Sequence, residues 1–282
     1  MAVQFLIDSA SDLSTAEASA MGVTMLPLKV VFGDQAYADK VDMTPPEFYE
    51  KLIESDVLPT TCQIPPADFE AAYTRILASG DELVVICMSS KLSGTYQSAV
   101  IAAEEFPDRI HIVDSLSVCV GERILLEYGI RLAGQGMDAR QICEALTAQA
   151  KKIRVLALLD TLEYLKKGGR ISAATALAGS LLSIKPVIAV EDGEVIMAGK
   201  ARGSKQGSNL LRQLIEKVGG VDFSKPYALA YSGLSDAMLQ KYVADSADLW
   251  QPHTQQLPVS MVGCVIGTHV GPGAIALAFF QP

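Results

Sequence analysis

Three short, mainly apolar runs near the start of the chain each lead into hydroxyl or acid side chains, and helical patterns separate them. Val3–Ile7 leads into Asp8-Ser9, Leu83–Cys87 into Met88-Ser89-Ser90, and Ile110–Val113 into Asp114-Ser115. A strand apolar on both faces must be covered on both, and parallel strands need crossovers long enough to hold a helix. This alternation predicts a parallel sheet with helices on either face. Ser14-Thr15-Ala16-Glu17 and Thr44-Pro45-Pro46-Glu47 have the form of capping boxes. Helical spacing runs through Asp68–Ser79, about Tyr96–Phe106, Ile124, Leu125 and Tyr128, and a further segment from near Asp138. Met25–Phe32 reads as one strand closed by the Gly33-Asp34 turn.

After about residue 160 the texture changes. Pro186–Val190 and Val195–Ala198 flank an Asp192-Gly193 turn, an amphipathic helix spans about Ser208–Val218, and Tyr227–Tyr231, Gln255–Ser260 and Ala274–Phe280 read as strands. With Val155–Leu159, they predict a second α/β domain with a mixed sheet. At about 150 residues per domain, 282 residues suit two domains. The expected division is 1–154, with an inserted hairpin and helix at about 23–60, and 155–282.

Lys and Arg number 23 against 32 Asp and Glu, a net charge of −9, which argues against binding nucleic acid or an anionic membrane. The five cysteines show no CxxC spacing, so neither a zinc site nor a disulfide framework is expected. The start, MAVQFLIDSASD, lacks a basic segment and does not read as a signal peptide. No charged residue follows Asp248, but His269 and Gly271-Pro272-Gly273 interrupt Val259–Phe280, so a buried strand–turn–strand or helix–turn–strand is expected rather than a membrane span. A cytoplasmic protein is expected.

In parallel sheets, ligands bind beyond the carboxyl ends of the strands. The Ser89–Thr95 loop is rich in hydroxyls, carries Gly94 and runs straight into a helix start. Unpaired N–H groups there suit an anion, but on the residues alone a simple helix cap at Ser93 or Thr95 is the better reading, since nearly every helix needs one. As a nucleophile elbow the loop fails, because Lys91 and Thr95 stand where G-x-S-x-G needs glycines. Lys166-Lys167-Gly168-Gly169 reads as a helix end, with Arg170 beyond the stop and freer to face a ligand. Arg202 lies in Lys200-Ala201-Arg202-Gly203, between a strand and a helix, and His269 sits among glycines in an uncharged stretch. The residues alone leave the ligand open.

The ordered set of Asp8-Ser9 with Ser11-Asp12-Leu13, Pro59–Gln63, Ser89–Tyr96, Asp114-Ser115, Thr161–Ile171, Ser183–Pro186, Lys200–Gly203 and Ile266–Gly273 resembles the DegV family of bacterial fatty-acid-binding proteins, nearly end to end. The resemblance implies an α/β, two-domain fold, an N-terminal parallel-sheet α/β/α domain and a C-terminal mixed-sheet domain, with a long-chain fatty acid such as palmitate, stearate or oleate between them. It implies a carboxylate held by Thr61 and Ser93, with N–H groups near Gly94. Arg170, Arg202 and His269 would lie near the carboxylate or on the surface facing a fatty acid kinase, the partner that would form an acyl phosphate. No catalytic residue, metal or cofactor is implied in this chain. The family pattern has Ser-Gln-Pro-Ser after the second threonine. Here Cys62-Gln63-Ile64-Pro65-Pro66 loses a hydroxyl at 62 and stiffens the loop. The alternative is a serine hydrolase or acyltransferase with Ser93 as nucleophile and His269 as base.

Overall fold

The computed structural model describes residues 2–171 and 184–282. They form three sheets. The first contains β1 (Val3–Asp8), β2 (Thr24–Leu26), β6 (Glu82–Cys87) and β7 (Ile110–Asp114), all parallel, in the order β2-β1-β6-β7. The apolar runs form the strands for the stated reason: Leu6, Ile7 and Leu83–Cys87 are fully buried, covered on both faces. The expected α/β class, a parallel N-terminal sheet and a mixed C-terminal one, is what the chain adopts.

The second sheet contains β8 (Ile153–Leu158), β9 (Ile184–Glu191), β10 (Glu194–Arg202), β11 (Ala228–Tyr231), β12 (Val259–Met261) and β13 (Ile275–Phe280). Its order is β10-β9-β8-β13-β11-β12, antiparallel except for β11 with β12. The third is a small antiparallel sheet of β3 (Lys29–Phe32), β4 (Gln35–Ala38) and β5 (Thr60–Cys62), ordered β4-β3-β5.

The single strand expected over Met25–Phe32 is two strands in different sheets. Pro27 lies in the break: it has no N–H for a ladder, and the chain turns there from the first sheet into the third. The strand expected over Gln255–Ser260 is shorter, only Val259–Met261. Strand β10 runs through Arg202, so Lys200–Arg202 belongs to the strand, and the helix expected from Ser208 starts at Gly203. The uncharged C-terminal stretch takes the helix–turn–strand form. No helix among the described residues is long and apolar enough to cross a membrane. Of the motif Ser183–Pro186, Ser183 lies outside the described residues.

Helix α5 (Val120–Gly134) packs between the two large sheets, touching β6 on one side and β8, β11 and β13 on the other. Val120, Ile124, Leu125 and Leu126 are fully buried. One apolar core therefore runs from Val84 and Val113 of the first sheet to Val155, Ile188 and Ala276 of the second. A division at residue 154 stays a proposal; β8, which starts at Ile153, pairs with β9 and β13 of the second sheet.

Candidate functional site

Alternate side chains of β8, Val155, Ala157 and Leu159 just beyond it, face a cavity of about 180 Å³. Their neighbours across the ladder, Ile188 and Val190 on β9 and Ala276 on β13, line the same space, and Met88, Leu92 and Val118 of the first sheet's loops close the opposite wall. The polar lining comes from Thr61, Cys62, Gln63, Ser93, Gly94, Arg170 and His269.

Four parts of the fold deliver those groups. Thr61 stands on β5, opposite Val30 of β3. Ser93 and Gly94 precede α4 (Thr95–Ala103), where the Ser93 hydroxyl accepts the Thr95 N–H at 3.3 Å and lies 3.0 Å from Thr95 Oγ1. His269 is near the end of a short C-terminal helix (Cys264–Val270), and its Nε2 lies 3.1 Å from Thr61 Oγ1. The imidazole rests on the helix Glu163–Gly168 so closely that a Cβ at Gly168 would stand 2.2 Å from Nδ1. Arg170 follows that helix; it donates from Nε to the Leu92 carbonyl (3.3 Å) and from a terminal nitrogen to the Gly168 carbonyl (2.7 Å). It thereby ties the Ser93 loop to the segment under His269.

Five of the six expected residues therefore line one cavity. Arg202 does not: it is exposed at the end of β10 and its backbone N–H donates to the Gln206 side chain at 3.0 Å. Gln63 is a lining residue that the reading of single residues passed over. It stands two positions after Thr61, the spacing that keeps extended side chains on one side. It donates to Ser98 at 3.0 Å and lies over Gly94, where a Cβ would come within 2.1 Å of its oxygen. A side chain at position 94 would therefore have to displace the Gln63 amide from its place over the loop.

Arg170, Cys62 and Gln63 are exposed, so the polar part of the cavity reaches the surface. There it shares Thr61, Arg170 and His269 with an outer cleft of about 200 Å³, also lined by Thr60, Tyr164 and Lys167. Among the described residues no cluster of His, Cys, Asp and Glu suits a metal ion. Ser93 bonds with Thr95, His269 faces Thr61, and His269 Nδ1 has no partner among the described residues. Among the described residues, Ser93 and His269 do not form the nucleophile–base–orienting acid sequence that a serine hydrolase requires.

Burial, reinforced by the nearby Arg170, pushes His269 down to about 4, so the ring is neutral at pH 7. The unfolded chain takes up this proton near pH 6.5 and the folded chain does not. Stability attributable to His269 therefore falls as pH drops from 6.5 to about 4, by on the order of 3 kcal/mol. Buried Asp8, raised to about 6, acts in the opposite direction between pH 6 and 3.8. The comparison to make is with His269→Gln: in denaturant titrations the variant should gain on the wild type as pH falls from 6.5 to 4.5. A constant gap would mean that His269 titrates normally.

These features describe an α/β protein whose sheets enclose an apolar cavity with a polar, surface-reaching end. A family model described as "Uncharacterised protein, DegV family" matches residues 2–281. A DegV domain-containing protein of Deinococcus radiodurans is 34% identical over 284 residues, covering 99% of this chain and 98% of the relative. Among solved structures, a DegV family protein from Thermus thermophilus, described by its fatty acid binding, superposes with TM-score 0.89 at 31% identity over 100% of both chains. A stearic-acid-binding protein from Eubacterium ventriosum gives TM-score 0.87 at 25% identity, covering 100% of this chain and 98% of that one. The chain belongs to the DegV family.

Proposed function

We propose that this protein binds a long-chain fatty acid in the cavity and presents its carboxylate to a fatty acid kinase for acyl-phosphate formation. The observation that carries the reading is one enclosed apolar space whose polar lining, Thr61, Ser93, Gly94, Arg170 and His269, opens to the surface. The fatty acid binding of the Thermus relative and the stearic acid of the Eubacterium relative support the same ligand class.

The energetics fit an amphiphile. At about 10–15 Å³ per water-sized occupant, a 180 Å³ cavity holds roughly a dozen such groups in a row. Each buried CH₂ contributes about 0.8 kcal/mol, so such a tail gains on the order of 10 kcal/mol before the costs of association. A carboxylate leaving water needs charge-assisted hydrogen bonds of about 1.5–3 kcal/mol each. The hydroxyls of Thr61 and Ser93 and an amide by Gly94 supply them, and Arg170 supplies the opposite charge. The tail sets affinity and the polar end sets orientation. The kinase half of the reading rests on the reachable carboxylate and on two exposed arginines, Arg170 at the cavity and Arg202 on β10, suited to an acidic partner surface.

Native mass spectrometry of freshly purified protein, with denaturing lipid extraction, tests the ligand. A mass excess of a few hundred daltons that extracts as a free fatty acid is expected. An apo mass unmoved by long-chain fatty acids would overturn the reading. For the kinase half, Arg202→Ala should keep the bound lipid and lower acyl-phosphate yield with a fatty acid kinase. Equal loss of both would remove Arg202 from any partner surface.

A further inference from the structure

The Asp8-Ser9…Ser11-Asp12 motif ends β1, where a ligand site is expected, yet none of its side chains lines the cavity. All four are buried. Asp8 accepts the Ala10 and Met88 N–H groups and Ser11 donates to the Asp8 carbonyl, whereas Ser9 and Asp12 bond toward the helix that carries His269. That helix, α11 counted in the order of the described elements (Cys264–Val270), starts from Gly263, which has no side chain to cap it. Its first N–H groups need acceptors from elsewhere. Asp12 Oδ1 accepts the Gly263 N–H at 2.8 Å and Asp39 Oδ1 accepts the Cys264 N–H at 3.0 Å, both fully buried bonds across more than two hundred residues of chain. The other Asp39 oxygen accepts the Ser9 hydroxyl at 2.9 Å. Lys40, next to Asp39 in the chain, donates to the Ser9 carbonyl at 2.7 Å and stands 3.6 Å from Asp12. Two carboxylates at the positive end of a helix, with one ammonium for balance, form an electrostatically complementary joint.

The joint and the head-group residues share the same small sheet. Asp39 directly follows β4, and Thr61 is on β5, with β3 between them. Two inter-strand spacings are about 9–10 Å. From Cys264 to His269 the helix advances five residues, about 7.5 Å. The helix thus runs from one edge strand of this sheet to the other, its first turn held at Asp39 and its last turn meeting Thr61. We infer that Asp12 and Asp39, with Lys40 paired to Asp12, are positioning residues: they fix where His269 meets Thr61 and so set the geometry of the cavity's polar end. The inference rests on the reading of that end as the fatty-acid head-group site.

The test uses the full chain with palmitate as probe. Asp39→Asn keeps the shape and removes the charge from the joint. Ser246→Ala, which loses a buried hydroxyl bond to the Tyr242 carbonyl in the separate Tyr242–Trp250 cluster, is the control for stability loss alone. Two readouts are taken: the ¹⁵N resonances of the His269 ring in the lipid-free protein, and the rate at which palmitate passes to excess lipid vesicles. In Asp39→Asn the His269 resonances should move and release should be about tenfold faster, the scale of one hydrogen bond to a charged group. Ser246→Ala should change neither. Should Asp39→Asn not fold, Ser9→Ala, which removes only the hydroxyl behind Asp39, is expected to shift the same resonances to a smaller degree. His269 resonances and release rates in the Asp39 and Ser9 variants that match the control overturn the inference. Moved resonances in a protein that binds no palmitate support the positioning role and sink the fatty-acid reading, so the two fail separately.

Discussion

Thr61→Ala combined with Ser93→Ala should empty the protein of fatty acid while leaving it folded. Both hydroxyls line the cavity, and under the proposed function each gives the carboxylate a hydrogen bond worth about 1.5–3 kcal/mol, the acceptor being charged. Losing both should weaken retention by roughly a hundredfold to more than ten thousandfold. The folded chain depends on them little, since both are only half-buried and their bonds, to His269 and to Thr95, lie at the cavity's polar end. Native mass spectra of the double variant and a thermal melt check the two halves together. Wild-type lipid content in the double variant would remove these hydroxyls from the head-group site. Lipid loss accompanied by general unfolding would leave the proposed site wrong as well, because the hydroxyls would then serve stability.

Ala157→Phe should abolish long-chain binding with no change at the head group. Ala157 lies at the centre of the wall, between Ile188 on β9 and Ala276 on β13 in register. Two small side chains side by side on a buried sheet leave space that a core would normally fill. A phenyl ring placed there takes the room of about five methylenes, about 4 kcal/mol of tail burial, or roughly a thousandfold in affinity. In the lipid-free protein the ring fills a void, so the melting temperature should hold or rise rather than fall by the cost of overpacking, about 1–3 kcal/mol. Extraction and mass spectrometry of the variant should find no long-chain acid. Bound acid of wild-type length would place the tail elsewhere.

Much of the architecture was legible in the residues because burial leaves a direct imprint. Leu83–Cys87 is apolar without a break since β6 is covered on both faces, and Ser14 and Thr44 start helices with the reciprocal Glu17 and Glu47 bonds that their spacing predicts. The Ser93 loop was legible for a similar local reason, as hydroxyls and a glycine entering a helix. Errors arose where local pattern and tertiary direction diverge. Met25–Phe32 has strand composition throughout, but which sheet each half joins depends on the turn at Pro27 and on partners far along the chain. Arg170 and Arg202 look alike in sequence, each basic residue at the end of an element, and only one lines the cavity.

Apolar runs, helix starts and turns determined that this chain is an α/β protein with a parallel and a mixed sheet, and they marked Ser93, Gly94, Arg170, Arg202 and His269 as residues of interest, while Thr61 was marked only by the family resemblance. Those properties depend on neighbours along the chain, through strand periodicity, helix starts and turns. Only the tertiary structure decided that Thr61 and His269, 208 positions apart, stand within hydrogen-bond reach, and that Asp12 caps a helix 251 positions away. Such meetings depend on how α5 and the three sheets pack around a shared core, and long-range packing has no period that a linear pattern can carry.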